Sequence, residues 1–363
     1  MKKLSPIKLA LTFAGCFLGA GYVSGQELWQ FFGTFGRGGI WGVTAAVACL
    51  FFFALLLLRL GQITGESAVD RLVICWDIPV LRRIMSGLEL VFLFGISTIM
   101  TAGVGALLNQ LFGLPAWAGC AVFAAAVMAV AMLGLRGLLS AFSVSVPVLV
   151  LATLAFGIAA VCKTGFSALP AETYRGDNPM MPVWTVGALT FANYNAFGAF
   201  AILAPFAKYI PDKKTTYLGL GLGAGCLLLI ALGVLLSLFA VPETLSAELP
   251  MLALAENISP ALGCCYGFLL LLAMFGTALS SQVAFLDFVC GKSRRIYSRK
   301  KLAAGVYSAG AFLCSLAGFG GLIGTVYPVF GYCSGIFVLL LVVHYIKVKS
   351  QKKERTQFLD TGE

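Results

Sequence analysis

Four places in this sequence put ligating side chains where an apolar chain has little other use for them. Thr277, Ser280 and Ser281 are spaced i, i+3, i+4, which sets three hydroxyl oxygens on one helix face. Hydroxyl and carbonyl oxygens suit a small hard cation, which takes several such ligands. Three are too few, so a second helix with free carbonyls must supply the others. The same hydroxyls can instead bond back to their own helix. Asn193, Tyr194 and Asn195 stand together in another apolar segment. Amides in hydrocarbon are costly unless partnered, so these either face a solute from an unwound stretch or bond a neighbouring helix. Glu27 follows Gln26, and Glu89 lies about two turns into a third apolar segment. Ionisable groups inside a membrane are functional candidates. Glu27 can hold a cationic group, gate a mouth with Arg37 or Arg175, or carry a proton. Glu89 reads as a partner for Arg82 or Arg136, with a proton site as the second reading.

The elements that must position these residues are membrane helices. Of 363 residues, 60% are hydrophobic and 11% charged, and the mean hydropathy is +0.95. That composition marks a polytopic membrane protein. Ten spans are expected, at 8–32, 39–60, 84–110, 115–134, 138–162, 183–207, 215–241, 261–290, 302–320 and 322–346. The first reads as an uncleaved span. With the N-terminus in the cytoplasm, 22 of the 25 lysines and arginines fall on the inner side. Both termini are therefore expected inside. The basic loops read as topological anchors facing an anionic leaflet, with no nucleic-acid site in them. In the outer loop 242–260, ELPMLALAENI reads as a short amphipathic helix over the mouth.

The first span carries GCFLGAGYVSGQE at 15–27, with glycines at 15, 19, 21 and 25. Each costs a helix interior about 1 kcal/mol relative to alanine. Non-helical backbone at membrane depth survives where it lines a cavity or is buried in protein. The stretch therefore reads as a broken helix beside a binding site, as in secondary transporters; close helix packing is the plainer alternative. FANYNAFGAF (191–200) interrupts span six in the same way, and GISTIMTAG (95–103) parallels GTALSSQ (276–282). Two five-span halves, 1–165 and 166–346, would then lie in opposite topology, followed by a short basic tail, 347–363. Span ten carries Tyr327-Pro328, a plausible kink.

GCFLGAGYVSGQELWQFFG (15–33) and the TALSS stretch resemble the YkvI-type membrane proteins, related to the amino acid–polyamine–organocation superfamily. The resemblance implies an all-α fold of ten transmembrane helices in a LeuT-like five-plus-five inverted repeat, with helices one and six broken. In sodium-coupled members a sodium ion bridges two first-span carbonyls and three eighth-span positions. By similarity these are Gly15 and Leu18 with Thr277, Ser280 and Ser281. Solute would lie against Cys16, Phe17, Gly19, Ala20 and Gly21 and against Asn193, Tyr194, Asn195 and Phe197. Gln26, Glu27 and Glu89 are the gating or proton candidates. Proton-coupled relatives often place a lysine in span five; here that span has Ser140, Ser143 and Ser145, and its first lysine is Lys163 at the outer end.

The expectation is a non-enzymatic secondary transporter in a plasma membrane, such as a bacterial inner membrane. It carries a small organic solute, an amino acid or related amine, with sodium as coupling ion and no other cofactor. A proton-coupled transporter of the same fold and a ligand sensor are the alternatives; a sensor would need a signalling domain that 347–363 is too short to provide. One histidine cannot build a His-based centre, and no GxxxxGK[ST] is present. Eleven cysteines without metal-ligand spacing read as small hydrophobes.

Overall fold

The computed structural model describes residues 4–133, 145–164, 178–292 and 299–360. The expected boundary at 165–166, and with it Ser140, Ser143, Arg136 and Arg175, lies outside these residues. The described chain is helical throughout. Its first helices are α1 (Pro6–Phe17), α2 (Ala20–Val23), α3 (Gln26–Phe31) and α4 (Arg37–Thr64). Then come α5 (Val69–Val73), α6 (Pro79–Phe112), α7 (Ala116–Leu133) and α8 (Ser145–Thr164). The later half holds α9 (Trp184–Leu203), α10 (Lys213–Ala240), α11 (Pro250–Ile258), α12 (Pro260–Lys292), α13 (Lys300–Ser315) and α14 (Phe319–Asp360). Among the described residues, six stretches are long and apolar enough to cross a membrane: Arg37–Thr64, Pro79–Phe112, Trp184–Tyr209, Lys213–Ala240, Pro260–Gly291 and Phe319–Gln351. The protein is a multi-pass membrane protein.

Local chemistry sets the helix ends. Ser5 caps α1, its hydroxyl accepting from the Lys8 N–H, with Pro6 at the first helical position. Asp212 caps α10 through the Thr215 N–H at 2.6 Å. Gly65 and Gly113 close α4 and α6 in the left-handed region, at φ 72° and 67°. The outer-loop helix expected within 242–260 forms as α11, with Met251, Leu252, Leu254 and Ala255 buried. Helix α14 runs on to Asp360, so the basic tail continues the last helix.

Packing interlocks the two ends of the chain. The most extensive contacts join α6 to α12, α1 to α10, α9 to α14 and α9 to α4. Pro328 lies inside α14 and can offer no N–H to Gly324 O four residues back. Asn178 Nδ2 donates to that carbonyl at 2.7 Å. A distant amide thus completes the helix that the proline leaves short.

Helix α9 corrects one expectation. It is continuous from Trp184 to Leu203, through the stretch 191–198 where a break was expected. Asn195 Nδ2 donates to Phe191 O one turn back, at 3.1 Å, and so reinforces the helix. Gly198 admits a neighbour: a Cβ there would stand 2.8 Å from Phe92 Cε1. The helix tightens into a 3-10 turn only at Ala204–Tyr209, where Pro205 sits.

Candidate functional site

Helix one is broken twice, and the two breaks are treated differently. At the first, Leu18 leaves helical geometry (φ −77°, ψ 60°) and Gly19 is extended. The Gly19 N–H bonds Phe17 O at 2.8 Å and the Tyr22 N–H bonds Gly19 O at 3.1 Å. The carbonyls of Gly15 and Leu18 are thereby released from the helical ladder. At the second break Gly25 takes φ 83°, a left-handed conformation natural to glycine. Here protein groups take up the freed carbonyls. Tyr266 OH donates to Val23 O at 2.8 Å, itself bonded at 2.7 Å to Thr153 of α8. The Met251 N–H of α11 donates to Ser24 O at 3.0 Å. Backbone polarity at membrane depth must be satisfied. The second break is satisfied by protein, while the first borders a cavity.

That cavity has a volume of about 400 Å³, within the size range of small-molecule sites. Helix one lines it with Cys16, Phe17, Gly19, Ala20, Gly21 and Glu27. Helix α9 adds Tyr194, Asn195, Phe197 and Gly198, and α12 adds Thr277, Ser280, Ser281 and Ala284. The far wall is Glu89, Phe92, Ile96 and Met100 of α6, with Tyr327 of α14. Ala201, Ile202, Ser280 and Ala284 are exposed and mark its mouth. The mouth lies toward the bundle end that carries Lys208, Lys213 and Lys300. The opposite end is sealed by aromatic rings. Phe31, Phe32 and Phe191 are fully buried, with centroids 5.5 Å (Phe31–Phe191) and 5.0 Å (Phe32–Phe191) apart. Beyond them Gln30 Nε2 donates to Gly320 O at 2.8 Å.

Two carboxylates face this space, and among the described residues no lysine, arginine or histidine lines it. Glu27 is buried, and Tyr194 OH donates to its Oε1. The Tyr194 ring stacks on Tyr327, centroids 4.6 Å apart and planes 11° from parallel. Glu27 Oε2 lies 2.6 Å from where a Cβ on Gly21 would stand, so the glycine makes room for the carboxylate. Glu89 also faces the cavity, contrary to its expected pairing with Arg82. Arg82 instead meets Asp77 of the preceding connection at 3.1 Å and Asp70 of α5 at 3.8 Å.

Of the nine residues expected to touch solute, eight line the cavity. Asn193 does not: a Cβ on Gly335 of α14 would stand 2.9 Å from its Nδ2, which places the amide against that helix. Gln26 lies outside the cavity, its Nε2 2.8 Å from the Cβ position of Gly320. The three hydroxyls stand on the wall, each also donating within α12. Thr277 bonds Ala273 O, and both Ser280 and Ser281 bond Thr277 O, all at 2.9 Å. A hydroxyl that donates keeps lone pairs for a cation. Gly15 and Leu18 are not on the wall; α1 packs chiefly on α10, and α12 meets helix one through α2. The sequence reading missed Phe92, Ile96 and Met100 and noted Tyr327 only as a kink. Their apolar side chains carry no signal that separates a cavity wall from a lipid face.

No protein-family model matches the chain. The Bacillus subtilis (strain 168) protein described as an uncharacterized membrane protein, YkvI, is 24% identical over 344 residues, covering 93% of this chain and 95% of its own length. The chain is a homologue of YkvI. Two solved transporters share its architecture. Mhp1, a nucleobase-cation-symport-1 family transporter in a closed conformation with bromovinylhydantoin bound, superposes with a TM-score of 0.60 at 16% identity, over 93% of this chain and 78% of its own. MhsT in complex with L-phenylalanine gives 0.59 at 16% identity, over 96% and 93%. At that identity the likeness is one of fold, the LeuT-like fold.

Proposed function

We propose that this protein is a secondary transporter of LeuT-like fold that carries a small organic solute, an amino acid or related amine, in symport with sodium. The observation that supports this reading is the unequal treatment of the two breaks in helix one. One is filled by Tyr266 and Met251; the other faces the cavity that also holds Thr277, Ser280 and Ser281. Ten spans in two inverted halves fit the packing, because α1 packs on α10 as α9 packs on α4. On this reading both termini lie in the cytoplasm of a bacterial cell, the cavity is open inward, and the sodium ligands draw together as the mouth closes. One charge falling through 100 mV releases about 2.3 kcal/mol, and a tenfold gradient adds about 1.4 kcal/mol. Together these support several-hundredfold accumulation.

Glu27 favours a second reading, proton coupling, because it is buried and faces the cavity. The deciding experiment reconstitutes the full chain in proteoliposomes and measures uptake from a library of labelled amines and amino acids. An inward sodium gradient is compared with potassium at fixed membrane potential. Sodium symport expects at least one solute to accumulate with sodium alone. Accumulation that follows a pH gradient and ignores sodium would establish the proton reading in its place.

A further inference from the structure

We propose that the transported solute is an organic cation without a carboxylate, and that Glu27 is its counter-ion. The inference rests on the reading of the central cavity as the solute site. Two carboxylates, Glu27 and Glu89, face that cavity, and no described cationic side chain does. A buried carboxylate is costly unless it is paired. Glu27 is hydrogen-bonded by the Tyr194 hydroxyl and by the Asn195 side chain, and one of its oxygens rests over Gly21. A carboxylate accepts about four hydrogen bonds, so capacity remains for a donor brought by the solute.

The position of Glu27 also argues against a zwitterion. A solute carboxylate that approached helix one at Gly21 would need the space over that glycine. Glu27 Oε2 occupies that space, 2.6 Å from the Cβ position. Two anions brought close together in a low-dielectric site repel strongly. An ammonium there is attracted to Glu27 and also to aromatic faces. The parallel Tyr194–Tyr327 pair and Phe92, 6.2 Å from Phe197 between centroids, surround the same space. Cations bind such rings favourably within about 6 Å of the centroid. Glu89, nearer the mouth, gives the entering cation a second acidic station. The size of the cavity suits a primary or quaternary amine, a diamine or a guanidine.

The test is a charge series on one ring: phenethylamine (cation), L-phenylalanine (zwitterion), 2-phenylethanol (neutral) and 3-phenylpropionate (anion). Tetramethylammonium, putrescine and agmatine are added as cations of other shapes. Binding to the purified full chain is measured by calorimetry for wild type, Glu27→Gln and Glu27→Asp, with melting temperature as the folding control. At least one cation should bind ten times more tightly than any neutral, zwitterionic or anionic probe. Glu27→Gln should erase that preference and Glu27→Asp should retain part of it. Equal or tighter binding of the zwitterion or the anion overturns the proposal and leaves the transport reading standing. So does the absence of binding by every cation. Cation binding unchanged in Glu27→Gln removes Glu27 as counter-ion. Should Glu27→Gln fail to fold, the wild-type series and Glu27→Asp still decide. Failure of the transport reading shows separately, as no uptake of any solute by proteoliposomes.

Discussion

At the scale of single residues the account turns on what a side chain does besides satisfy itself. Thr277, Ser280 and Ser281 all donate to carbonyls of their own helix, the bonding that hydroxyls in membrane helices adopt without any ligand. What sets them apart is that all three stand on the cavity wall. If they ligate sodium, Ser281→Ala and Ser280→Ala should each raise the sodium concentration for half-maximal uptake, by about tenfold for the loss of about 1.4 kcal/mol. Solute preference should be unchanged. Near-neutral substitutions would assign the hydroxyls to helix geometry alone. Binding of two ligands is reciprocally coupled, so the wild-type solute should tighten sodium by the factor by which sodium tightens the solute. The hydroxyl cluster, Glu27 and the glycines of helix one were legible in the sequence, because polar and flexible residues are conspicuous in hydrocarbon. Asn193 was legible as a polar residue and was misplaced as a ligand. Its amide faces Gly335 across a helix contact, and one sequence does not tell which side of a helix an amide serves.

Whole elements follow the same logic. The break in helix one could be read from four glycines within eleven residues, each weakening the helix. The break expected in α9 did not form, because paired asparagines are compatible with a helix when one of them bonds the preceding turn, as Asn195 does. Polarity alone therefore does not break a membrane helix, and neither does glycine alone: α10 runs unbroken through Gly219, Gly221, Gly223 and Gly225. Proline 328 shows how such a defect is repaired, through Asn178. Asn178→Ala leaves Gly324 O without its donor and should cost about 1–3 kcal/mol, seen as a lowered melting temperature in detergent. A melting temperature equal to wild type would mean that water replaces the amide. Outside the membrane, the Glu66 carboxyl is held below its ordinary value, chiefly by the Ser67 and Ala68 N–H groups at 2.9 and 3.1 Å and then by Arg71 at 3.2 Å. A depressed folded pKa means that this contribution is present above the unfolded value of about 4.3 and is lost as pH falls through the folded one. Hydrogen exchange at Ser67 and Ala68, normalised for intrinsic rate, should stay protected at the ordinary carboxylate value and lose protection on further acidification. Protection that survives acid would assign the loop's order to other contacts, such as His344 Nδ1 to Leu72 O at 2.8 Å.

For the molecule as a whole, the cavity is closed by Phe31, Phe32 and Phe191 at one end and opens past Ser280 and Ala284 at the other. On the proposed reading the lysine and arginine distribution places the open end in the cytoplasm, and a transporter would need a second state in which the seal and the mouth exchange. Cys16 reports on this without knowledge of the solute. It lies on the cavity wall, half-buried, with Sγ 3.2 Å from Thr12 O. The most direct test is the rate at which a small, membrane-impermeant methanethiosulfonate reagent modifies Cys16 in membrane vesicles of known sidedness. The rate is read at that residue by peptide mass spectrometry, in sodium and in potassium at equal ionic strength. The account predicts modification from the cytoplasmic face, slowed severalfold by sodium as the α12 hydroxyls and helix one draw together, with the Ser281→Ala variant losing most of the slowing. Equal rates from both faces, or a rate that sodium leaves unchanged relative to potassium, would contradict it.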